Sequence, residues 1–274
     1  MSSLKRFGLL CVLIGGLIGG WPAVTAQAQS TAHPAAIKRL AKRDFHAVHG
    51  RWSVKVTRLG KHPVNVTTGN RHVQAQRSAS TIKVYVMLTV FQRAQAHHLK
   101  LTRTVKGNLK RMIYYSDNTA TNALIRQLGG FKRVNQTAKR FGFKQTHLRR
   151  YMLDTAALRR GHDNYTSVHD LTRFLTRTYQ HRLLGKTYDR KMLALLHHCR
   201  NHSKLPKLVT HAKIYNKTGE FPLKGVQNDA ALFKTKRGVY TIVVMAQQGQ
   251  QFAQYQAMNR LGRDTVRYLN AHAE

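Results

Sequence analysis

The sequence has 274 residues, 42% of them hydrophobic, and carries 47 Lys and Arg against 10 Asp and Glu, which gives a formal net charge of +37. This hydrophobic content supports a sizeable core and excludes a disordered chain. The basic residues are spread along the whole length with no nucleic-acid-binding motif, so the charge by itself assigns no function.

The N-terminus has the pattern of an export signal. Lys5 and Arg6 precede an apolar run over residues 7–20, and the small-residue pattern Ala26-Gln27-Ala28 follows. The run is short and interrupted by glycines, which favours cleavage over an uncleaved membrane anchor. We therefore predict a signal peptide at 1–28 and a mature domain at 29–274. The expected location is secreted or extracellular, either free or associated with the cell wall.

Export changes the interpretation of the charge and of the cysteines. For an exported chain the polyanion near so basic a protein is expected to be an anionic cell-wall polymer, and a solvated surface suited to a salty or acidic habitat is the alternative. Once Cys11 is removed with the signal, Cys199 is the only cysteine, so no internal disulfide is possible.

The predicted elements alternate in character along the chain. A helix over 35–48, a strand over 52–59 and a turn with a short strand over 60–69 come first. A buried helix over 81–95 follows, with Ser80 at its start, and the middle holds helices over 119–128, 132–141, 168–179 and 188–198 and a long loop over 149–165. Strands over 212–216, 229–233 and 239–246 and a helix over 252–273 close the chain.

This order predicts an α+β fold. Strands from both chain ends form one antiparallel sheet flanked by helices, and a central helical subdomain occupies roughly 86–204. The active site is expected in the cleft between the sheet and that subdomain. No internal repeat or Pro- or Gly-rich linker divides the mature chain.

Three short motifs occur in order: Ser80-Thr81-Ile82-Lys83, Ser116-Asp117-Asn118 and Lys217-Thr218-Gly219. Each is weak alone in a chain so rich in lysine, but their order, spacing and placement at a helix start, before a helix and at a strand end agree with one another. Together with their flanking residues they resemble class A serine beta-lactamases and penicillin-binding proteins. The resemblance covers most of the mature chain and implies a beta-lactamase/transpeptidase-like fold.

The chemistry of the first motif follows from its residue types. A serine hydroxyl is a poor nucleophile until a base takes its proton, and Lys83 lies one helical turn after Ser80 on the same face. Burial beside another cation such as Lys217 is expected to lower the pKa of Lys83, so that its neutral amine can act as that base. The backbone N–H of Ser80 can donate to the oxyanion formed on attack.

Further roles are implied by the resemblance. The backbone N–H of Glu220 is the second oxyanion donor, Ser116 relays a proton to the leaving nitrogen, and Asn118 holds the substrate amide. Lys217 and Thr218 bind a substrate carboxylate. Gly219 is expected to leave room for substrate along the strand edge. The simpler alternatives are a helix cap for Ser80, a turn for 116–118 and a solvated strand end for 217–219.

The deacylating half of the resembled machinery is missing. The family uses a glutamate in the long loop, acting through a water, whereas the glutamates of this chain are Glu220 and Glu274. The loop offers Asp154 and Asp163 instead. Asp154 lies near the expected place and is either a surrogate base or an organiser of the loop backbone, with the second role favoured.

No cofactor is predicted, and no metal site. His198, Cys199 and His202 are close in sequence but lack a second set of paired ligands, which favours surface histidines. The expected function is a hydrolase that forms an acyl-enzyme at Ser80 with beta-lactams or related amide and ester substrates. The alternatives are a D,D-peptidase or esterase at the cell wall with little beta-lactam turnover, and a non-catalytic cationic wall-binding protein.

Overall fold

A computed structural model describes residues 32–273, so the predicted signal peptide at 1–28 lies outside the described residues. The main sheet has five strands in the order β2-β1-β7-β6-β5, and every neighbouring pair is antiparallel. Its strands are β1 Arg51–Leu59, β2 Val64–Gly69, β5 Lys213–Phe221, β6 Val226–Lys234 and β7 Val239–Gln247. A second, two-stranded sheet pairs β3 Gln76–Arg77 with β4 Tyr165–Thr166.

The helices of the described chain lie on both faces of the main sheet. They are α1 Pro34–Asp44, α2 Lys83–Gln95, α3 Arg103–Tyr114, α4 Asn118–Gln127, α5 Phe131–Arg140, α6 Thr155–Arg159, α7 Val168–Tyr179, α8 Gly185–His197 and α9 Gln251–Ala271. Strands from both chain ends thus form one sheet, and the middle of the chain is helical, which confirms the predicted α+β fold. Within residues 32–273 no helix is both long and apolar enough to cross a membrane.

The sheet separates two hydrophobic cores. Successive side chains of a strand point to opposite faces, so Ile242 and Val244 of β7 pack with α1 and α9, while Val243 and Met245 pack with the helical half. Because helices cover both faces, β7 is apolar on both. This arrangement places the helical half against one face of the sheet. The edge strand β5 meets the helical half at the boundary where the cleft is expected.

Helix α2 forms the centre of the helical half. Ten of its 13 residues are buried, a pattern typical of a helix surrounded by other elements. Tyr85 packs edge-on against Phe143 and Phe174, with ring centroids 5.0 and 5.9 Å apart. Each large apolar side chain buried in this way contributes about 1.5–3 kcal/mol, so the first residue of α2, Lys83, is held on a rigid support.

Three local features differ from the sequence-based expectations. Helix α3 was not predicted because Gly107 lowers the helix propensity of the segment, although its buried Val105, Leu109 and Met112 have the spacing of an amphipathic helix. The loop over 149–165 contains the short helix α6. Strand β5 continues to Phe221, so the third motif lies inside the strand and not at its end.

Candidate active site

Ser80 lies in a 3₁₀ turn, Ala79–Ile82, that leads directly into α2. The preceding residue, Ala79, has φ of +43°, a left-handed conformation that costs an alanine about 1 kcal/mol or more. The side chain of Asn228, on β6, stabilises the strained turn, because its Nδ2 donates to the carbonyls of Arg77 and Ser78 at 2.9 and 3.0 Å. The turn is therefore fixed from the sheet side.

The Ser80 side chain does not cap a helix, which contradicts the simpler alternative for this residue. Neither the 3₁₀ turn nor α2 has a side-chain cap. Among residues 32–273 the Ser80 hydroxyl makes no hydrogen bond, and it borders two cavities. It is therefore available to an incoming molecule.

Lys83 is fully buried, and its amino group lies among three oxygen atoms of the second motif. Nζ lies 2.5 Å from the carbonyl oxygen of Ser116, 3.1 Å from Ser116 Oγ and 2.9 Å from Asn118 Oδ1. Burial, followed by the positive charge of Lys217, lowers the pKa of Lys83 to about 6. At neutral pH the amine is therefore mostly deprotonated.

The second motif is shaped by backbone strain and by a helix cap. Ser116 has φ of +58°, which turns its hydroxyl and carbonyl toward Lys83. Asp117 does not face the site: its carboxylate caps α4 at Ala120 N, 2.8 Å away, and accepts two hydrogen bonds from Arg111 at 2.9 and 2.7 Å. The motif therefore presents Ser116 and Asn118 to the site and uses Asp117 to hold them.

Lys217, also buried, completes a line of three polar groups. Its Nζ donates to Ser116 Oγ at 3.0 Å and to the carbonyl of Thr218 at 2.9 Å. Burial lowers the pKa of Lys217 as well. Ser116 Oγ thus lies between the amines of Lys83 and Lys217, which gives a continuous path along which a proton can move.

Gly219 lies where β5 crosses the Ser80 turn. A Cβ atom at this position would be 2.7 Å from the carbonyl oxygen of Ser78, 3.0 Å from Thr81 N and 3.1 Å from Ser80 N. These are backbone atoms that cannot move aside like the end of a side chain. The contact between strand and turn thus requires a glycine at this position, and the room for substrate that Gly219 was expected to leave stays a prediction.

The residue after the third motif, Glu220, is fixed by its side chain. Its Oε1 accepts hydrogen bonds from Asn201 Nδ2 at 2.9 Å, Lys204 Nζ at 2.7 Å and Tyr255 OH at 3.0 Å. Because Lys204 is fully buried, this ion pair is shielded from solvent on one side. The backbone of Glu220 belongs to β5, an edge strand, which leaves alternate N–H groups without a neighbouring strand.

Sequence reasoning missed the residues that support the motifs from behind, chiefly Lys204, Asn228 and Asp229. Asp229 accepts hydrogen bonds from Asn216 Nδ2 at 3.1 Å and from Leu205 N at 3.2 Å, and burial raises its pKa to about 6. The one available signal was the run of three polar residues at 227–229 before the apolar part of the strand, which is uncommon in a buried position.

Two cavities meet at Ser80. The larger has a volume of about 790 Å³ and contains Ser116, Asn118, Lys217 and Thr218 in one wall. The smaller, about 200 Å³, lies between Ser80 and the loop that carries α6. The remaining wall of the larger cavity is aromatic and basic, with Tyr114, Tyr115, Arg200, His202 and Lys207.

Asp154 borders the smaller cavity and caps α6. Its Oδ1 accepts a hydrogen bond from Ala157 N at 2.8 Å, the geometry of an N-cap residue. The other loop carboxylate, Asp163, accepts from Arg150 Nε at 2.7 Å and pairs with Arg77. Both loop aspartates thus organise the loop, as favoured for Asp154 from the sequence.

The histidines near Cys199 have separate contacts. His198 stacks on Tyr114, with ring centroids 5.2 Å apart, and its Nδ1 lies 2.8 Å from the carbonyl of Ala194. Residues 32–273 contain no group of three or more His, Cys, Asp or Glu side chains arranged to hold a metal ion.

A serine beside two buried lysines on an α+β scaffold of this kind defines a class, the serine hydrolases, and solved structures agree with the fold. The beta-lactamase from Sphaerobacter thermophilus has a TM-score of 0.74 at 19% identity, covering 86% of this chain and 98% of its own. PBP-A has a TM-score of 0.75 at 19% identity, covering 87% and 98%. A PBP-A variant solved as an acyl-enzyme complex with penicillin G has a TM-score of 0.74 at 20% identity, covering 87% and 98%.

The sequence places the chain more narrowly than the fold does. A model of the beta-lactamase enzyme family matches residues 103–269, more than half of the chain. The chain therefore belongs to the beta-lactamase enzyme family and is a serine hydrolase. The matched range contains the second and third motifs and begins after Ser80 and Lys83, so the roles of those two residues rest on the site geometry.

Proposed function

We propose that the chain forms an acyl-enzyme at Ser80 with beta-lactams or related amide and ester substrates. The observation that carries the proposal is the line Lys83 Nζ, Ser116 Oγ and Lys217 Nζ, with separations of 3.1 and 3.0 Å, beside an unbonded serine hydroxyl. A base whose pKa lies near the working pH is well matched to proton transfer. Burial lowers the pKa of Lys83 to about 6, which is close to a neutral working pH.

The acylation step uses these groups in sequence. The neutral amine of Lys83 takes the proton from Ser80 as Oγ bonds to the substrate carbonyl carbon, and the backbone N–H groups of Ser80 and Glu220 stabilise the resulting oxyanion. The proton then passes through Ser116 to the leaving nitrogen or oxygen as its bond to carbon breaks. The product is an ester between Ser80 Oγ and the substrate acyl group, and the proton of the serine hydroxyl is now on the leaving atom.

The substrate-binding roles follow from charge. Asn118 is proposed to hold the substrate amide, and Lys217 and Thr218 a carboxylate. The larger cavity also contains Arg200 and Lys207, whereas its carboxylate, Glu220, is paired with Lys204. This charge pattern favours substrates that carry a negative group, such as beta-lactams and peptides with a free carboxyl end.

Acylation is tested by intact-protein mass spectrometry after incubation with penicillin G. We expect a mass gain equal to the whole antibiotic, because ring opening releases no atoms, and peptide mapping is expected to place it on Ser80. The control is Ser80→Ala, which should acquire no adduct while retaining its fold by circular dichroism. An adduct on Ser80→Ala would falsify the assignment, and so would a native protein that gives neither an adduct nor a hydrolysed product with penicillin G and with an activated ester.

The lifetime of the adduct separates the candidate activities. A beta-lactamase returns to the free mass within seconds to minutes, whereas a D,D-peptidase or esterase with little beta-lactam turnover keeps the adduct for hours. Because the described loop carboxylates are committed to backbone and arginine partners, we favour the slow case.

The role of Asp154 can be tested by separating the cap from the carboxylate. Asp154→Ala is expected to lower stability by about 1 kcal/mol, because α6 loses its N-cap. Asp154→Ser keeps a capping oxygen but no carboxylate, and we expect its acyl-enzyme lifetime to stay within about twofold of the native value. A lifetime lengthened more than tenfold in Asp154→Ser, with normal thermal stability, would instead identify Asp154 as the base for deacylation.

Export and binding to anionic wall polymer remain part of the proposal. They are supported by the residue pattern of 1–28 and by the net charge of +37. Adsorption to wall polymer that decreases with salt and persists in Ser80→Ala is the expected behaviour, since the charge and the nucleophile are independent.

A further inference from the structure

A second polar cleft lies at the opposite edge of the sheet from the active site. The strand order is β2-β1-β7-β6-β5, and the active-site motif is on β5, whereas this cleft lies between α7 and the β1–β2 pair. Its volume is about 780 Å³. The site chemistry proposed above makes no use of it.

The floor of the cleft contains one lysine that lacks an acidic partner. Lys55 of β1 is half-buried, and its Nζ donates to Asn65 Oδ1 at 2.6 Å and Thr67 Oγ1 at 3.1 Å, both neutral groups on β2. An ammonium group has three N–H donors, so one remains for a ligand. Burial of a cation without a counter-ion is unfavourable, and burial lowers the pKa of Lys55.

The wall formed by α7 presents a hydroxyl group without a partner. Thr172 is 3% exposed, and its Oγ1 has no hydrogen-bond partner among the described residues. Buried helical threonines such as Thr178 and Thr89 donate to the carbonyl four residues earlier, those of Phe174 and Tyr85, both at 2.7 Å, although Thr265 of α9 also lacks a partner. Thr172 departs from that pattern and borders the cleft.

The rest of the wall adds donors and no carboxylate. His169, Arg173 and Thr176 share the helix face of Thr172 by their spacing, and all of them border the cleft. Arg173 Nη1 donates a 2.6 Å hydrogen bond to the carbonyl of Gly142, and the other two guanidinium nitrogens have no hydrogen-bond partner among residues 32–273. The nearest acid in sequence, Asp170, accepts from Gln145 N at 2.8 Å and Thr146 Oγ1 at 2.9 Å and does not border the cleft.

We propose that this cleft is a binding site for a phosphate group. An ammonium, a guanidinium and an imidazole border one space, and two unpartnered hydroxyls are buried in its wall, where a change of side-chain rotamer would let them donate to a ligand. Together they match a tetrahedral anion with several acceptor oxygens. A bound phosphate would supply the negative charge that Lys55 lacks and an acceptor for Thr172. The phosphate is either the free ion or part of a phosphodiester polymer, and the experiment below distinguishes these sources.

The first measurement is a calorimetric titration of the full-length protein with inorganic phosphate at about 150 mM ionic strength, where long-range attraction by the net charge is screened. We expect saturable binding that weakens about tenfold in Lys55→Met, through loss of a charge-assisted hydrogen bond. Thr172→Val is expected to weaken it about threefold. The matched control is Lys236→Met, which removes the same charge from an exposed position outside the cleft and should bind like the native protein.

Thermal unfolding in the absence of phosphate provides a readout that a merely structural role would not give. Because Thr172 Oγ1 is buried without a partner, Thr172→Val is expected to be as stable as the native protein or more stable, yet to be stabilised less at each phosphate concentration, by the amount that an affinity weakened about threefold gives. Equal phosphate affinity in Lys55→Met and Lys236→Met, or no saturable binding by the native protein, overturns the proposal.

Binding to poly(glycerol phosphate) then separates the two sources. A tenfold weaker interaction in Lys55→Met that inorganic phosphate also displaces identifies a polymer phosphate as the ligand. Weakened binding of inorganic phosphate alone identifies the free ion. Polyglutamate serves as the charge control, and equal sensitivity of polyglutamate to Lys55→Met would show a non-specific charge effect and contradict the phosphate site. Acylation of Ser80 is expected to be unchanged in Lys55→Met.

Discussion

Lys83→Met is expected to slow acylation of Ser80 by about 10³-fold, because it removes the base and leaves a side chain of similar length that tolerates burial. Thermal unfolding checks that the variant folds. The rate of acylation is measured with a chromogenic cephalosporin, followed by stopped flow for the native protein and by manual mixing for the variant. A loss of less than tenfold would show that another group takes the proton.

The pH dependence gives the same residue a second signature. Deprotonated amine is the active form, so the acylation rate of the native protein should rise with pH, pass its midpoint near 6 and then level off. Lys83→Met should lack this rise. The necessary control is His202→Gln, since His202 lies in the same cavity and partial desolvation lowers its pKa. A rise that disappears in His202→Gln and persists in Lys83→Met would assign the titration to the histidine.

Gly219→Ala is expected to reduce acylation by about 100-fold and to destabilise the protein by about 1–3 kcal/mol, because the added Cβ would overlap the backbone of the Ser80 turn. The two proposed oxyanion donors are the backbone N–H groups of Glu220 in the strand and Ser80 in the turn. If the strand and the turn move apart by a few tenths of an ångström, these N–H groups no longer both point at the developing charge. Acylation rates and urea unfolding measure the two effects.

Gly107→Ala is the matched control for that substitution. Gly107 lies inside α3, and a Cβ there would meet nothing within 4 Å. We expect this variant to be more stable by about 0.5–1 kcal/mol, since alanine is the better helix former, with native acylation. Similar acylation by Gly219→Ala and Gly107→Ala would contradict the role given to the contact between β5 and the Ser80 turn.

Much of this architecture could be predicted from the sequence, because it depends on local patterns of side chains. The alternation of β1, the apolar runs of β7 and α2, and the start of α7, where Ser167 Oγ accepts from Asp170 N, follow from side-chain periodicity and from a hydrogen bond over three residues. Local signals also identified the three motifs and the absence of a loop glutamate. The short α6 was missed because five residues contain too little periodicity, and the basic α3 was missed because Gly107 lowers its helix propensity despite its apolar face.

The sequence by itself thus determined the fold class, the family and the residues that face one another in the site. The sequence also predicted that burial beside Lys217 lowers the pKa of Lys83. Only the tertiary structure showed that both lysines are buried together, why position 219 is a glycine and which helix Asp154 caps. The depressed pKa of Lys83 arises from burial and from Lys217, which is 134 positions away in the chain. The glycine depends on a strand crossing a turn. Such effects depend on distances between groups far apart in sequence, and residue spacing along the chain does not contain those distances.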